Sequence, residues 1–175
     1  NSPPDEKINV LDIGTYRGGS TYFLAATAEK LAPGRINLWS IDTFEGYDTK
    51  DLPQGIEGSY LVPGKGGDVD FDEVIKYLSP FKFVRVVKSR IQEYAQTLSE
   101  TAFHFIHLDV NLYEPTNFSL GFFGARIKPG GIIIVDDYGM ITCPRLKDAV
   151  DEYCREHRGV IKFSLLTGQC LLIFP

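Results

Sequence analysis

Apolar runs of strand length alternate with helix-compatible stretches along most of the chain. The β-rich runs occupy residues 8–13, 36–41, 83–87, 103–108, 132–135, 160–166 and 169–174. The helix-compatible stretches occupy residues 20–31, 71–78, 116–127 and 144–157. Strands that alternate with helices predict an α/β fold, here a doubly wound, mainly parallel sheet with helices on both faces. The Thr167-Gly168 pair is typical of a hairpin, so we expect seven strands, the last two antiparallel.

The order of these elements also predicts where a ligand would bind. Residues 132–135 form an uninterrupted apolar run, which is typical of a central strand covered on both faces. In such sheets, ligands bind beyond the carboxyl ends of the strands, near the point where the strand order reverses. The residues that directly follow the strands are therefore the candidates for function.

Residues 43–70 interrupt the alternation and are too long for an ordinary connection. The segment contains six glycines and two prolines, and it leaves the predicted ligand-binding edge. Loops of this kind are often lids over a binding site, so we predict a mobile lid. A disordered surface excursion is the alternative. With this lid included, residues 1–175 are predicted to form a single domain.

Composition and charge narrow the class of protein. The chain has 175 residues, of which 43% are hydrophobic, and its formal net charge is −5. This acidic balance disfavours a nucleic-acid binder, which would normally show a basic face. We expect no membrane span and no export signal, because neither sequence pattern is present. The three cysteines form no CxxC pair and predict no disulfide framework, which favours a reducing, cytoplasmic compartment.

A glycine-rich turn follows the first predicted strand, within Asp12-Ile13-Gly14-Thr15-Tyr16-Arg17-Gly18-Gly19-Ser20. Glycines there let the backbone approach a ligand closely before the helix begins. The dinucleotide pattern G-x-G-x-x-G requires a second glycine where Tyr16 stands, which makes a pyrophosphate cradle less favoured than a smaller, uncharged contact. An ordinary strand-to-helix turn is the alternative.

Polar residues after the second and third strands extend this prediction. Asp42 stands at the end of the second strand, where a carboxylate can accept two hydrogen bonds from ribose hydroxyls. A nucleoside is therefore the predicted ligand, although an aspartate here could instead cap a helix or anchor the lid. Ser89 and Arg90 follow the third strand and could line the adenine, or they could belong to an ordinary turn.

Acidic residues follow the fourth and fifth strands. Asp109 comes directly after residues 103–108, and Asp136 and Asp137 come directly after residues 132–135. Neighbouring strands lie about 5 Å apart, so these three carboxylates should meet. They would repel one another unless Mg²⁺ or a similar oxygen-seeking cation lay between them. We therefore predict that the three aspartates bind a divalent metal. The alternative is that one or two of them only cap helices or turns.

Four blocks of the sequence resemble those of class I S-adenosylmethionine-dependent methyltransferases, which have a Rossmann-like fold, and specifically of the macrocin-type sugar O-methyltransferases. The blocks are residues 12–20, 40–46, 109–116 and 135–139, in the order of that family, and the closing hairpin is also typical. The resemblance implies that residues 14–19 wrap the methionine part of S-adenosylmethionine, and that Asp42 binds its ribose. It also implies that the three aspartates bind Mg²⁺. The full set of predicted cofactor contacts is Asp12, Gly14, Thr15, Tyr16, Arg17, Gly18, Ser20, Asp42, Thr43, Ser89 and Arg90.

One residue departs from the pattern of that family. Asn111 stands where macrocin-type enzymes have the aspartate proposed as general base, and asparagine cannot take a proton. His107 shares strand parity with Asp109 and could face the same cleft as an alternative proton acceptor, although it could also be a satisfied core histidine. Metal acidification of the substrate hydroxyl without a protein base is a further alternative. The candidate catalytic residues are Asp109, Asn111 and His107.

The predicted reaction transfers a methyl group from the sulfonium to a substrate oxygen, and alignment of donor and acceptor is the main task of the protein. If two neighbouring hydroxyls of the substrate bound the metal, one of them would lie beside the methyl group, and the metal would lower the pKa of that hydroxyl. This favours a sugar diol or a catechol as substrate. Tyr113 and Tyr138 could form walls around the substrate ring, or they could simply pack. The predicted partner is thus a small hydroxyl-bearing molecule. The sequence does not determine the oligomeric state, and a homo-oligomer stays open.

Two other functions remain as alternatives. A protein that binds S-adenosylmethionine without turnover is suggested by Asn111. A nicotinamide-dependent oxidoreductase could use the same arrangement of strands and helices. Binding of NAD compared with binding of S-adenosylmethionine distinguishes the oxidoreductase from the other two.

Overall fold

The computed structural model describes residues 6–52, 60–143 and 145–175. Within these ranges the strands are β1 (Ile8–Ile13), β2 (Ile36–Asp42), β3 (Val84–Lys88), β4 (Phe103–Leu108), β5 (Ile127–Val135), β6 (Ile161–Ser164) and β7 (Cys170–Ile173). The helices are α1 (Gly19–Leu31), α2 (Phe71–Leu78), α3 (Ile91–Tyr94), α4 (Tyr113–Gly124) and α5 (Leu146–Glu156), and a 3₁₀ helix follows α3 at Ala95–Leu98. All seven predicted strands are present.

The strands form one sheet in the order β3-β2-β1-β4-β5-β7-β6. Strands β1 to β5 are parallel, and β7 pairs antiparallel with both β5 and β6. This arrangement confirms the predicted doubly wound, mainly parallel fold with an antiparallel C-terminal hairpin. The strand order reverses between β1 and β4, because the chain first runs outward to β3 and then returns beside β1. A ligand site is expected at the carboxyl ends of the strands that meet there.

Alternate side chains of the central strands enter cores on opposite faces of the sheet. On one face, Val10 and Leu38 are buried with Ala25 of α1. On the other face, Leu11 is buried in a larger core that includes Leu120 of α4 and residues of α5. Because successive strand residues point to opposite faces, both cores draw on the same strands. Helices therefore cover both faces of the sheet, as predicted.

One part of the sheet carries apolar side chains outside these cores. The residues concerned lie in register across β5, β7 and β6 and are Ile132, Ile134, Leu171, Ile173, Ile161 and Phe163. They belong to none of the three core clusters found among the described residues. Ile161 is 46% exposed and Phe163 is 51% exposed. We call these six residues the hairpin face.

Several element boundaries differ from the prediction. α4 begins at Tyr113 rather than at residue 116, because Pro115 is tolerated in the first turn of a helix, where its missing N–H is not needed. β5 begins at Ile127 and includes Pro129 and Gly130, both exposed, next to a shift of register with β4. The sequence analysis missed α3, since four residues are too few to show helical periodicity. Residue 144, where the last helix was predicted to begin, lies outside the described ranges.

Across residues 6–52, 60–143 and 145–175, no helix combines the length and the apolar character that a membrane span requires. The cysteines Cys143, Cys154 and Cys170 are free thiols, and Cys143 and Cys170 are buried.

Candidate functional site

A cavity of about 670 Å³ lies where the strand order reverses, at the carboxyl ends of β1, β2 and β4. Cavities that bind cofactors and other small molecules usually have volumes of about 300–1,000 Å³. The lining includes these predicted site residues: Gly14, Tyr16, Asp42, Thr43, Ser89, Arg90, Asp109 and Asn111. The fold therefore gathers residues that are widely separated in the sequence around one cavity.

The turn after β1 forms one wall of this cavity. Gly14 has a φ of +98°, and a Cβ atom placed on it would lie 1.9 Å from the carbonyl oxygen of Asp109. Only glycine fits there, because any side chain would push the ends of β1 and β4 apart. The backbone N–H of Tyr16 donates to Oδ2 of Asp42 over 2.7 Å. The turn is thus held in place by the two neighbouring strands.

Five predicted cofactor contacts do not line the cavity: Asp12, Thr15, Arg17, Gly18 and Ser20. Asp12 and Thr15 are buried behind the turn. Arg17 forms an exposed ion pair with Asp68 at 2.8 Å. Gly18 is the N-cap of α1, with a φ of +83°, and Ser20 lies in the first turn of that helix. A direct contact between these five residues and a cofactor stays a prediction.

Asp42 is the last residue of β2. Its carboxylate accepts hydrogen bonds from the turn after β1 and from the segment after β2. Oδ2 accepts the N–H of Tyr16, and Oδ1 accepts the N–H of Phe44 over 2.8 Å. Anchoring of the segment after β2 was the alternative to ribose binding, and the structure shows that anchoring. Oδ2 keeps a second lone pair, and the Thr43 hydroxyl donates to Oδ1 only over a long 3.5 Å, so ribose hydroxyls can still donate to Asp42. Ribose binding by Asp42 stays a prediction.

Residues 43–52 and 60–70 form the outer wall of the cavity. The N–H of Tyr47 donates to the carbonyl of Lys65 over 3.1 Å, and the N–H of Gly64 donates to the carbonyl of Tyr47 over 3.0 Å. Phe44 and Leu61 are buried. The described parts of the predicted lid are therefore packed against the rest of the protein. Residues 53–59 lie outside the described ranges, and the mobility of the lid stays a prediction.

Arg90 fastens this outer wall to the end of β3. Its guanidinium donates to Asp48, and its Nη2 donates to both carboxylate oxygens of Asp51 at 2.7 and 2.8 Å. The side chains of Arg90 and Asp51 are only 17% and 13% exposed. Arg90 lines the cavity, as an adenine contact would, but its charge is paired with two aspartates. We call Arg90, Asp48 and Asp51 the lid clamp.

A chain of buried polar side chains runs behind the glycine turn. The Thr15 and Ser40 hydroxyl oxygens lie 2.6 Å apart, and the Ser40 and Thr21 hydroxyl oxygens lie 2.8 Å apart. The Thr21 hydroxyl donates to Oδ2 of Asp12, whose Oδ1 lies 2.8 Å from Nδ1 of His107. None of the five residues is more than 8% exposed. Each polar group partners the next, so the His107 ring has a defined orientation.

His107, Asp109 and Asp136 converge beyond the ends of β4 and β5. One ring nitrogen and one oxygen from each carboxylate lie within 4.8 Å of one another. The strand pairing explains the arrangement, since the N–H of Asp136 donates to the carbonyl of Leu108 over 2.9 Å. Nitrogen and carboxylate oxygen atoms at such distances can bind a divalent cation.

Asp137 and Asn111 lie beside this group. Both residues have left-handed backbone conformations, with φ values of +55° and +62°. With its amide oriented so that both ends are satisfied, Asn111 donates to Oδ2 of Asp137 over 2.5 Å and to Oδ1 of Asp109 over 3.3 Å. Its amide oxygen accepts from the Tyr47 hydroxyl over 2.9 Å. Asn111 therefore connects the outer wall of the cavity to the acidic residues.

Burial and crowding raise the pKa values of these acidic residues. Burial first, and then the charge of Asp136, raises the pKa of Asp109 to about 7. Burial and the same charge also raise the pKa of Asp137. Burial by itself lowers the pKa of His107, but the hydrogen bond and charge of Asp12, with the charges of Asp109 and Asp136, raise it overall. A bound cation would relieve this repulsion between like charges.

The predicted substrate residues Tyr113 and Tyr138 do not line the cavity. The Tyr113 hydroxyl donates to Glu152 over 2.5 Å. Tyr138 is 6% exposed, and its hydroxyl donates to Asp151 over 2.7 Å. Both acceptors belong to α5, so the structure shows the packing role that was the alternative for these tyrosines. A contact with substrate stays a prediction.

The sequence analysis did not single out several residues that shape the site. Ser40 is a polar residue within the apolar strand β2, and that interruption is a signal that it has a buried partner. Tyr47, Asp48 and Asp51 lie in a segment without periodicity, where no local pattern marks one polar residue above another. Their contacts depend on how the segment folds back over the sheet.

A model of the macrocin-O-methyltransferase (TylF) family matches residues 6–163 of the chain. The chain belongs to this family. The match includes the cavity and the acidic residues, and it confirms the resemblance found in the sequence.

Two curated relatives of this family member come from Streptomyces. The 8-demethyl-8-(2,3-dimethoxy-alpha-L-rhamnosyl)-tetracenomycin-C 4'-O-methyltransferase of Streptomyces olivaceus is 26% identical over 155 residues, which cover 83% of this chain and 57% of that protein. The demethyldecarbamoylnovobiocin O-methyltransferase of Streptomyces niveus is 26% identical over 157 residues, with the same two coverages of 83% and 57%. The chain thus spans little more than half the length of these relatives.

A solved structure, that of the O-methyltransferase NovP, resembles this member of the family along most of its length. The TM-score is 0.80 at 22% identity, and the match covers 96% of this chain and 72% of that one. The fold is therefore the Rossmann-like fold of methyltransferases.

Proposed function

We propose that the protein is an S-adenosylmethionine-dependent O-methyltransferase that acts on a hydroxyl group of a sugar-bearing small molecule. Membership of the macrocin-O-methyltransferase family supports the reaction class. Both curated relatives are O-methyltransferases by name, and the first acts on a rhamnosyl compound. The family also favours this activity over a nicotinamide-dependent oxidoreductase.

One observation carries the proposal: the cavity extends from the glycine turn and Asp42 to Asp109. Its volume and its lining fit a nucleoside cofactor, with Gly14 and Tyr16 beside the amino-acid part, Asp42 at the ribose, and Ser89 and Arg90 beside the base. When bound, S-adenosylmethionine supplies an electrophilic methyl group. The protein would hold that group beside the acidic residues and shield it with residues 43–70, which we propose as its lid.

We further propose that Asp109 and Asp136, with Asp137 beside them, hold a divalent cation such as Mg²⁺. Burial first, and then the charge of Asp136, raises the pKa of Asp109 to about 7, which supports a counter-charge beside these carboxylates. When bound, the cation would lower the pKa of a coordinated hydroxyl and favour a vicinal diol or a catechol. Asn111 would keep Asp109 and Asp137 in position through its amide.

The test is methyl transfer by the 175-residue chain to a panel of diol-bearing glycosides and catechols, with S-adenosylmethionine and Mg²⁺. We expect a methylated product detected by mass spectrometry. Asp136→Ala should abolish cation binding and turnover but leave the affinity for S-adenosylhomocysteine within a few-fold. Glu29→Ala, an exposed carboxylate on α1, is the matched control and should change neither.

Three results would contradict the proposal. Tighter calorimetric binding of NAD than of S-adenosylhomocysteine would favour an oxidoreductase. Cofactor binding without transfer to any acceptor, even in Asn111→Asp, would favour the non-catalytic alternative. A collapse of cofactor affinity in Asp136→Ala would mean that the aspartates support the fold rather than a cation.

A further inference from the structure

The two described arms of the outer wall, residues 43–52 and 60–70, are joined at Gly46 and Tyr47. A Cβ atom on Gly46 would lie 2.4 Å from the carbonyl oxygen of Gly64, so only glycine lets the arms approach so closely. The backbone carbonyl of Tyr47 accepts from the N–H of Gly64 over 3.0 Å. A movement of one arm would therefore carry the other arm, and with it the side chain of Tyr47.

This side chain reaches from the outer wall to the end of β4. The Tyr47 hydroxyl oxygen lies 2.9 Å from the amide of Asn111, and the ring packs against the larger core. Burial, the largest effect, raises the pKa of this hydroxyl above its usual value despite the hydrogen bond to Asn111. The hydroxyl therefore stays protonated and can donate to the amide oxygen. We call the Tyr47 hydroxyl and the Asn111 amide the latch.

Asn111 connects the latch to two carboxylates. When its amide oxygen accepts from Tyr47, its amide nitrogen lies 2.5 Å from Oδ2 of Asp137 and 3.3 Å from Oδ1 of Asp109. The left-handed backbone of Asn111 costs free energy, and such a conformation persists where the surrounding contacts hold it. The three hydrogen bonds of the side chain supply such contacts, so loss of the bond to Tyr47 would leave the amide less well fixed.

We propose that Tyr47 is a positioning residue, which through Asn111 holds Asp109 and Asp137 in place only while the two arms cover the cavity. Closure of the arms and arrangement of these carboxylates are then one event. A substrate hydroxyl would meet the ordered carboxylates only in a covered site, from which water is excluded. The inference rests on the proposed function, because it concerns the end of the cavity where the acceptor would bind.

This assignment gives Asn111 a role that needs no proton transfer. An amide can accept one hydrogen bond through its oxygen and donate others through its nitrogen at the same time. An ionised aspartate at position 111 could accept from Tyr47 but could not donate to Asp109 or Asp137. Asparagine is therefore the residue that suits a link between a hydroxyl donor and two carboxylates.

The test is a double-mutant cycle followed by hydrogen exchange and mass spectrometry, in protein without ligands. Tyr47→Phe removes only the hydroxyl, and Asn111→Gly removes the amide but keeps a residue that tolerates a positive φ. Tyr47→Phe should accelerate amide exchange in residues 109–116, and Asn111→Gly should accelerate it in residues 43–52. Each acceleration should be about threefold to tenfold, as expected for the loss of one hydrogen bond. In the double variant, exchange in residues 43–52 should be no faster than in Asn111→Gly, because both substitutions remove the same contact.

The matched control is Tyr94→Phe, which removes the hydroxyl of a partly buried tyrosine at the end of α3. It should accelerate exchange in neither segment. Unchanged exchange of residues 109–116 in Tyr47→Phe would mean that the hydroxyl fastens the outer wall without positioning the acidic residues. Additive effects in the double variant would mean that Tyr47 and Asn111 act separately. Either result would overturn the proposal.

An active enzyme gives a second measurement. Tyr47→Phe should lower kcat for methyl transfer about threefold to tenfold, whereas KM for S-adenosylmethionine should change less, because Gly14 and Asp42 are intact. An unchanged kcat would also overturn the proposal. A protein that transfers no methyl group still gives the exchange cycle, and an active protein with additive effects keeps the proposed function but not this inference. The two proposals therefore fail separately.

Discussion

At the scale of single residues, Asn111 shows how one amide changes the character of the site. Its left-handed backbone, with a φ of +62°, suits asparagine or aspartate better than most other residues. As asparagine, it gives N–H donors to Asp109 and Asp137 and so stabilises their charged forms. An aspartate at the same position would add a further negative charge to a group that already resists ionisation.

The first prediction concerns Asn111→Asp in protein freed of divalent cations. The new carboxylate would be crowded, so its pKa in the folded state should lie above its value in the unfolded state. Such a group destabilises the fold above its folded pKa, and the effect disappears as the pH falls below its unfolded pKa. We expect a loss of about 1–3 kcal/mol in unfolding free energy at pH 8 and little loss near pH 4. Urea unfolding in the presence of a chelator, at pH 8 and near pH 4, measures the two free energies.

The control for this prediction is Asn37→Asp, where the amide donates to another asparagine, Asn9, over 3.0 Å. The loss of unfolding free energy in Asn37→Asp should depend less on pH than the loss in Asn111→Asp. If the proposed cation binds beside Asp109, addition of Mg²⁺ should reduce the loss in Asn111→Asp, because the cation would offset the repulsion. An equal loss at both pH values would show that the amide geometry, and not the charge, is what matters at position 111.

At the scale of elements, the lid clamp joins the outer wall of the cavity to β3. Arg90 pairs with two aspartates from residues 43–52, and these side chains are at most 29% exposed. Charge-assisted bonds of this kind are stronger than exposed ion pairs, because they are less screened by water. We therefore expect the clamp to hold residues 43–52 against the end of β3.

The second prediction is that Arg90→Met opens residues 43–52 more often. We expect their amide hydrogens to exchange at least about tenfold faster, since about 1.4 kcal/mol of local stability would be lost. In Arg90→Lys the exchange rate of these amide hydrogens should lie between the other two, because a lysine cannot present two paired N–H groups to one carboxylate. Hydrogen exchange followed by mass spectrometry measures the change.

A matched control is Arg17→Met, which removes the ion pair with Asp68 at 63% and 65% side-chain exposure. Exposed pairs contribute little, so exchange in residues 43–52 should stay close to that of the unsubstituted chain. If Arg17→Met accelerated exchange as much as Arg90→Met, burial of the clamp would not be the cause of its strength.

At the scale of the whole molecule, the two halves of the sheet are covered differently. The half that contains β1 and β2 is packed on both faces, whereas the hairpin face leaves Phe163 and Ile161 about half exposed. Contiguous apolar surfaces of this kind commonly mark places where a protein contacts other apolar molecules. This property belongs to the arrangement of three strands and not to any single residue.

The third prediction is that Phe163→Thr reduces the binding of an apolar fluorescent dye to the 175-residue chain. Threonine suits an edge strand, so the unfolding free energy should change by less than about 1 kcal/mol. Phe23→Thr removes a more exposed phenylalanine, 71% exposed on α1, that lies outside the hairpin face. It should reduce dye fluorescence less. Equal reductions would mean that total exposed aromatic area, and not contiguity, determines dye binding.

The sequence by itself determined the seven strands, four of the five α-helices and the edge of the sheet where the candidate site lies. The seven strands follow from local apolar runs, and the hairpin follows from the turn near Gly168. The Gly14 turn, Asp42 and Asp109 could be predicted because they directly follow strands, and the ends of parallel strands meet at one edge. These are short-range signals, which a single sequence carries in its periodicity and its turn residues.

Only the tertiary structure decided which side chains meet. Asp12 and His107 lie 95 positions apart, and Tyr47 and Asn111 lie 64 positions apart, yet each pair is within hydrogen-bond distance. Likewise, only the folded structure shows that Tyr138 donates to α5 and that Arg90 pairs with two aspartates. Such contacts depend on strand order, on register and on the direction of each side chain, because these together bring distant residues to one place. No local pattern contains that information, and it appears only once the sheet has formed and residues 43–52 have folded over it.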